Sequence, residues 1–113
     1  MLQTPSKHSK ALLDLADYME KLYDSEYDQS DYNRCICGHC NRRAGRWQAD
    51  DMEAAAMELG LTCEQTIELF CTTGGNRLVA GRFGAKFVVK PTPQDAARCL
   101  REIAVSGEVP NWW

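Results

Sequence analysis

The sequence predicts a mainly α-helical domain of four to five short helices, with a small β-hairpin between the last two. Three observations carry this. Apolar residues recur at steps of three and four along four separate stretches, the period of a helix with one buried face. Each of those stretches opens on a capping residue or closes on a glycine. Only the stretch from Arg77 to Lys90 is instead rich in strand formers punctuated by glycine. With 113 residues the chain has the length of a single small globular domain, 1–113.

The first helix has Thr4 as cap and Pro5 at its first position. From there Ala11, Leu12, Leu15, Tyr18, Met19, Leu22 and Tyr23 make one apolar stripe, with Asp14, Asp17, Glu20 and Lys21 on the solvent side. Residues 24–33 are rich in turn formers and form a loop that Tyr27 and Tyr32 pin to the core. Its oxygens do not make a calcium loop, because the glycine and closing glutamate of an EF-hand are missing. Asp50 or Asp51 caps a helix with Met52, Ala55, Ala56 and Leu59 inward, and Gly60 ends it. Thr62 and Gln65 form a capping box for the next helix, whose stripe is Ile67, Leu69 and Phe70. After the hairpin, Thr92 caps a last helix with Pro93 first, Asp95 in the first turn and Ala96, Ala97, Leu100, Ile103 and Ala104 buried, ending at Gly107. Trp112 and Trp113 fold back onto the core, or else stand exposed as an anchor for a partner.

Apolar residues make up 44% and charged residues 26%, an ordinary profile for a globular protein, and the net charge of −3 gives no overall attraction to nucleic acid or anionic membranes. No run is long enough for a membrane span. The polar residues 1–10 lack the apolar stretch of a signal peptide, so the expected location is cytoplasmic, with reduced thiols. Charge is arranged in blocks. Residues 33–48 carry Arg34, Arg42, Arg43 and Arg46 and no acid; residues 49–71 carry six acids and no base; residues 72–91 carry Arg77, Arg82, Lys86 and Lys90 and no acid. Such blocks pair across a fold, or the two basic ones converge on an anionic partner.

The densest chemistry lies in Cys35-Ile36-Cys37-Gly38-His39-Cys40. Cys35, Cys37 and Cys40 have the close spacing of soft metal ligands, so zinc is the one cofactor the sequence admits, with an iron–sulfur cluster as its rarer rival. A fourth ligand would come from Cys63, Cys71, Cys99 or His8. The plainer alternative makes the cysteines small buried residues in the first turn of a helix. Cys37-Gly38-His39-Cys40 also matches the redox motif of the protein disulfide isomerases, with Cys37 as nucleophile and Cys40 resolving, but the preceding strand of that family is absent. Ala56-x-x-x-Gly60-Leu61-Thr62 resembles the first half of a helix-turn-helix, with the hairpin as a wing. The following helix, however, carries Glu64 and Glu68 and no base, a face that repels phosphate.

Several features occur in a particular order. Tyr27-Asp28-x-Ser30-x-Tyr32 follows the first helix. Cys35 and Cys40 stand five apart before a small-residue helix. Ala55-Ala56-x-x-Leu59-Gly60-Leu61 runs into Leu69-Phe70, and Thr92-Pro93-x-x-Ala96-Ala97 opens the last helix. In this order the chain resembles a diffuse group of small phage and actinobacterial proteins of unknown function, from which it departs at Cys37 and in the long basic hairpin. The resemblance implies no activity.

No catalytic constellation is evident. The sequence therefore points to a small non-enzymatic binding module that acts through a protein partner, such as a phage-encoded accessory or inhibitor protein. The expected contact residues are Trp112, Trp113, Arg42, Arg43, Arg46, Arg77, Arg82, Lys86 and Lys90, together with the acidic loop. Nucleic-acid binding, structural zinc and thiol redox chemistry are the alternatives.

Overall fold

Helix α1 spans Lys7–Glu20 and buries Leu12, Leu15, Ala16 and Met19 along one face. Its partner is α5, Pro93–Ser106, which buries Ala96, Ala97, Cys99, Leu100 and Ile103. These two helices make the most extensive contact of the fold. The alanines at 16, 96 and 97 are fully buried and let the backbones approach. The start of α5 lies against the end of α1, where the Gln94 amide donates to the carbonyls of Glu20 and Leu22 at 3.1 and 3.2 Å. In the computed structural model the described residues are 7–28, 31, 34–70, 77–80, 86–89 and 91–113, with only the backbone described at 7, 77–80 and 86–89.

Three two-turn helices complete the helical part: α2 (Ile36–Arg43), α3 (Met52–Leu59) and α4 (Cys63–Phe70). A 3₁₀ turn at Asp24–Glu26 interrupts the loop after α1, and Tyr27 behind it is buried. Most caps stand where the residue types placed them. The Asp51 carboxylate accepts from Ala54 N at 3.0 Å, Thr62 and Gln65 form a reciprocal box, and Thr92 and Asp95 form another. Gly60 and Gly107 close α3 and α5 in the left-handed conformation.

Between α4 and α5 the backbone of β1 (Arg77–Ala80) lies antiparallel to β2 (Lys86–Val89), with Arg77 opposite Val89 and Ala80 opposite Lys86. Their side chains and residues 81–85 lie outside the described residues. The expected small hairpin therefore finds no support beyond this backbone pairing. Thr4, Pro5, Tyr32 and Cys71 are likewise outside.

Three residues assigned to the core by periodicity are not in it. Tyr23 is 78% exposed, because α1 ends at Glu20 and the chain turns before Tyr23 can continue the stripe. Met52 and Ile67 are 41% and 60% exposed. α3 gives its buried face to Ala55, Ala56 and Leu59, and α4 gives its own to Leu69 and Phe70, which leaves Met52 and Ile67 on the outer sides.

The turn between α3 and α4 is tight for two reasons. Gly60 has φ +70°, and a Cβ built on it would overlap the His8 ring of α1. Gly60→Ala is therefore expected to destabilise the fold by about 2–3 kcal/mol, from left-handed strain plus overpacking. In a His8→Gly background, which removes both the ring and the Cβ that the new methyl would meet, the cost should fall to about 1–2 kcal/mol, the strain alone. Chemical denaturation of the four proteins of this cycle tests it; equal costs in both backgrounds would show that the imidazole simply moves aside.

Candidate functional site

Helix α2 carries the cysteine cluster into the centre of the molecule. Residues 36–41 are all buried, and Cys35 caps the helix from a buried position. The three thiols do not share a focus. Cys37 Sγ lies 3.7 Å from the Ala49 carbonyl oxygen, whereas Cys40 Sγ–H donates to Glu58 Oε2 at 3.4 Å. Among the described residues no group of three or more His, Cys, Asp or Glu is placed to hold a metal ion. The proposed ligand set Cys35, Cys37 and Cys40 thus gains no support, and Cys63, one of the candidate fourth ligands, is an exposed free thiol on α4. Burial and the adjoining Glu58 carboxylate push the thiol of Cys40, the resolving cysteine of the redox reading, up to about 12. Burial also raises the thiols of Cys35 and Cys99.

Two polar side chains are buried among the described residues, Asn41 and His39, and both organise their surroundings. The Asn41 amide donates to the carbonyls of Ala49 and Asp51 at 2.8 and 3.1 Å. Its Oδ1 accepts from Arg46 Nη1 at 2.9 Å, and Arg46 Nη2 continues to Glu58 Oε1 at 2.7 Å. One amide thereby fixes the loop 44–51, the cap of α3 and the ion pair that joins that loop to α3.

His39 Nε2 lies 2.8 Å from the Glu26 carbonyl oxygen. A carbonyl only accepts, so Nε2 carries the proton and Nδ1 of the neutral ring is an acceptor. Nδ1 faces the Tyr18 hydroxyl and Arg42 Nη2, each at 3.4 Å. Burial, reinforced by the Arg42 charge, lowers the His39 pKa. Arg43 stacks over Tyr18, 5.2 Å from the ring centroid.

The remaining contact residues divide sharply. Trp112 and Trp113 fold back, half-buried, with Trp112 Nε1 donating to Glu102 at 2.6 Å and Trp113 Nε1 to the Leu69 carbonyl at 3.2 Å. Arg98 lies over the Trp112 ring at 4.4 Å. Both rings pack against the core as the fold-back alternative expects, and both indole N–H groups are bonded within the chain. Arg46 is paired with Glu58 at 2.7 Å. Arg42 and Arg43 are exposed at the end of α2. Arg82 and Lys90 lie outside the described residues, as do the side chains of Arg77 and Lys86, so the expected convergence of the two basic blocks falls outside them as well.

Known protein families, curated proteins and solved structures contain no match to this chain. The surface itself must supply the functional argument.

Sequence periodicity missed its most apolar feature. Between α3 and α4 a groove of about 390 Å³ is lined by Met52, Glu53, Ala56, Met57, Leu61, Cys63, Thr66 and Ile67. Met57 is 71% exposed. The signal was present as a second set of large apolar residues, Met57 and Ile67, beside the alanine-rich stripe of α3 and the Leu69–Phe70 face of α4. α3 and α4 are joined by a three-residue turn, but the exposed side of α4 carries Glu64 and Glu68 and no base, which disfavours its insertion into a DNA groove. No helix among the described residues is long and apolar enough to cross a membrane.

Two predictions follow from α2. The folded pKa of His39 lies below its unfolded value near 6.5, so the unfolded chain takes up the proton first. The stability this gives is complete above about pH 6.5 and is lost as pH falls through that value toward the folded pKa. Denaturation midpoints from pH 5 to 8 should show this acid-side loss, and His39→Gln should flatten it. Protein purified without an affinity tag is expected to melt at the same temperature with and without chelator. A chelator-dependent fall, with about one equivalent of zinc by metal analysis, would restore the metal reading.

Proposed function

We propose that the protein is a non-enzymatic binding module whose α3–α4 groove receives a basic amphipathic helix of a protein partner. In biological terms this is an accessory or inhibitory factor that works by occupying its partner. The observation that carries the reading is the pair Met57 and Ile67, 71% and 60% exposed on neighbouring helices along one apolar groove. Isolated exposed apolar residues are ordinary, but several side by side across a concavity mark a contact surface. Methionine suits that role because its unbranched, polarizable side chain adapts to the surface it meets.

The sign of the partner comes from the charge around the groove. Residues 49–71 contain six acids and no base. Asp51 is used as a helix cap and Glu58 is paired with Arg46. Glu53 lines the groove itself, and Glu64 and Glu68 stand exposed on α4. None of these last three forms an ion pair among the described residues. An apolar floor with an acid-only surround fits a helix with one apolar stripe flanked by lysine or arginine.

A leucine–lysine amphipathic model helix, labelled for fluorescence anisotropy, provides the test. Binding is expected to weaken at least about tenfold in Met57→Asp and in Ile67→Asp, because each places a charge on the apolar floor. Val105→Asp, a change at an 88% exposed residue on α5, should leave binding and melting temperature unchanged. Equal affinity for wild type and both groove variants would remove the groove as the binding surface.

A further inference from the structure

A second concavity lies at the opposite pole of the charge pattern. A hollow of about 390 Å³ is lined by Tyr18, Glu26, Arg34, His39, Arg42 and Arg43, which sets three guanidinium groups and an imidazole against one carboxylate. The arginines are not equivalent. Arg34 is neutralised by Asp31 at 2.8 Å and Asp28 at 3.7 Å, and Nη1 donates to the Ser25 carbonyl. Arg46, Arg98 and Arg101 are likewise paired with carboxylates. Of the six arginines whose side chains are described, only Arg42 and Arg43 form no ion pair among the described residues, and both line this hollow.

Their placement is set by neutral groups instead. Arg42 Nη2 faces the lone pair of His39 Nδ1, and Arg43 lies across the Tyr18 ring. Each contact orients a guanidinium and uses little of its five-donor capacity. The single carboxylate, Glu26, forms no ion pair with Arg42 or Arg43 among the described residues; its Oε1 accepts the Tyr23 backbone N–H at 2.8 Å. Asp14 and Asp17 line the next hollow along Arg43, but Asp17 is paired with Arg101 and neither forms an ion pair with Arg43. Favourable contact with the carboxyl end of the α2 macrodipole accounts for two bases in the last turn. It does not account for their convergence on a concavity walled by Tyr18 and His39.

We propose that this hollow is an anion-binding site for a phosphate monoester. Two adjacent guanidinium forks, each able to give paired parallel N–H donors, match a dianionic tetrahedral group better than a single carboxylate. The shared chemistry is the phosphate group, free or carried on a small molecule, and the volume leaves room for an attached organic moiety. The site is independent of the α3–α4 groove: it uses α1, α2 and the turn at 24–26, and shares no lining residue with the groove.

The experiment is a titration of the isotope-labelled full chain, followed by amide chemical shifts, with inorganic phosphate, phenyl phosphate and, at matched ionic strength, chloride. Saturable shifts centred on the amides of Tyr18, His39, Arg42 and Arg43 are expected with the phosphates and not with chloride. Tighter binding of phenyl phosphate identifies an ester as the ligand, whereas equal affinity identifies phosphate itself. Arg42→Gln and Arg43→Gln, each at an exposed position, should weaken binding about tenfold with unchanged melting temperature. Arg98→Gln, an ion-paired arginine elsewhere, should not weaken it. Non-saturating shifts that match chloride, or variants that bind as wild type, overturn the proposal and leave the two arginines as dipole partners of α2.

Discussion

The structure depends on burying six of the eight residues of a short helix. Six consecutive residues of α2 are buried, so the segment cannot use the one-sided amphipathic pattern that suits a surface helix. Two consequences follow from elementary physics. Small residues let neighbours approach closely, which is what Cys35, Cys37, Gly38 and Cys40 provide beside the larger Ile36. Any polar group carried inward must find partners there, because an unmatched amide or imidazole in the interior costs several times what a matched one contributes. Asn41 and His39 meet that condition by binding backbone carbonyls of the flanking loops. The same bonds that satisfy them hold residues 26 and 49–51 in place. The three cysteines sit there as small buried residues, and burial, with Glu58 beside Cys40, pushes the thiols of Cys35 and Cys40 up.

Around α2 the longer helices supply the frame. α1 and α5 are fourteen residues each and bury alanines and leucines against one another. Ion pairs from Arg101 to Asp17 and Glu20 decorate the solvent edge of that contact, where screening leaves them a minor share of the stability. The tail beyond α5 returns to α4 through Trp113. α3 and α4 are held to this frame by one face apiece and turn their second apolar set outward, which is how a helical core produces an exposed groove.

Charge is distributed by the same geometry. Where acidic and basic blocks meet across the fold they cancel, as at Arg34 with Asp28 and Asp31 and at Arg46 with Glu58. Among the described residues, Glu53, Glu64 and Glu68 on α3 and α4 form no ion pair, nor do Arg42 and Arg43 at the end of α2. The two concavities inherit those opposite signs. A near-neutral chain therefore presents two surfaces of different electrostatic preference, a property that its net charge conceals.

The sequence by itself determined the elements whose signals are local. Caps at Asp51, Thr62 and Thr92, stops at Gly60 and Gly107, and the stripes of α1 and α5 were legible because capping and periodicity act over a few residues along one chain. The candidate sites were legible only in part. The arginines of the basic block stood out by composition, yet nothing local separated Arg46, bound to Asn41 and Glu58, from Arg42 and Arg43. Nor did the motif Cys35-x-Cys37-x-x-Cys40 reveal that its thiols face different neighbours. Tertiary structure also decided which apolar residues of α3 and α4 are core. Periodicity shows that a face is apolar but not whether another element arrives to cover it, and Met52 and Ile67 are exposed because none of the described elements does. Neighbours distant in the chain made these choices, through contacts that no short window of sequence contains.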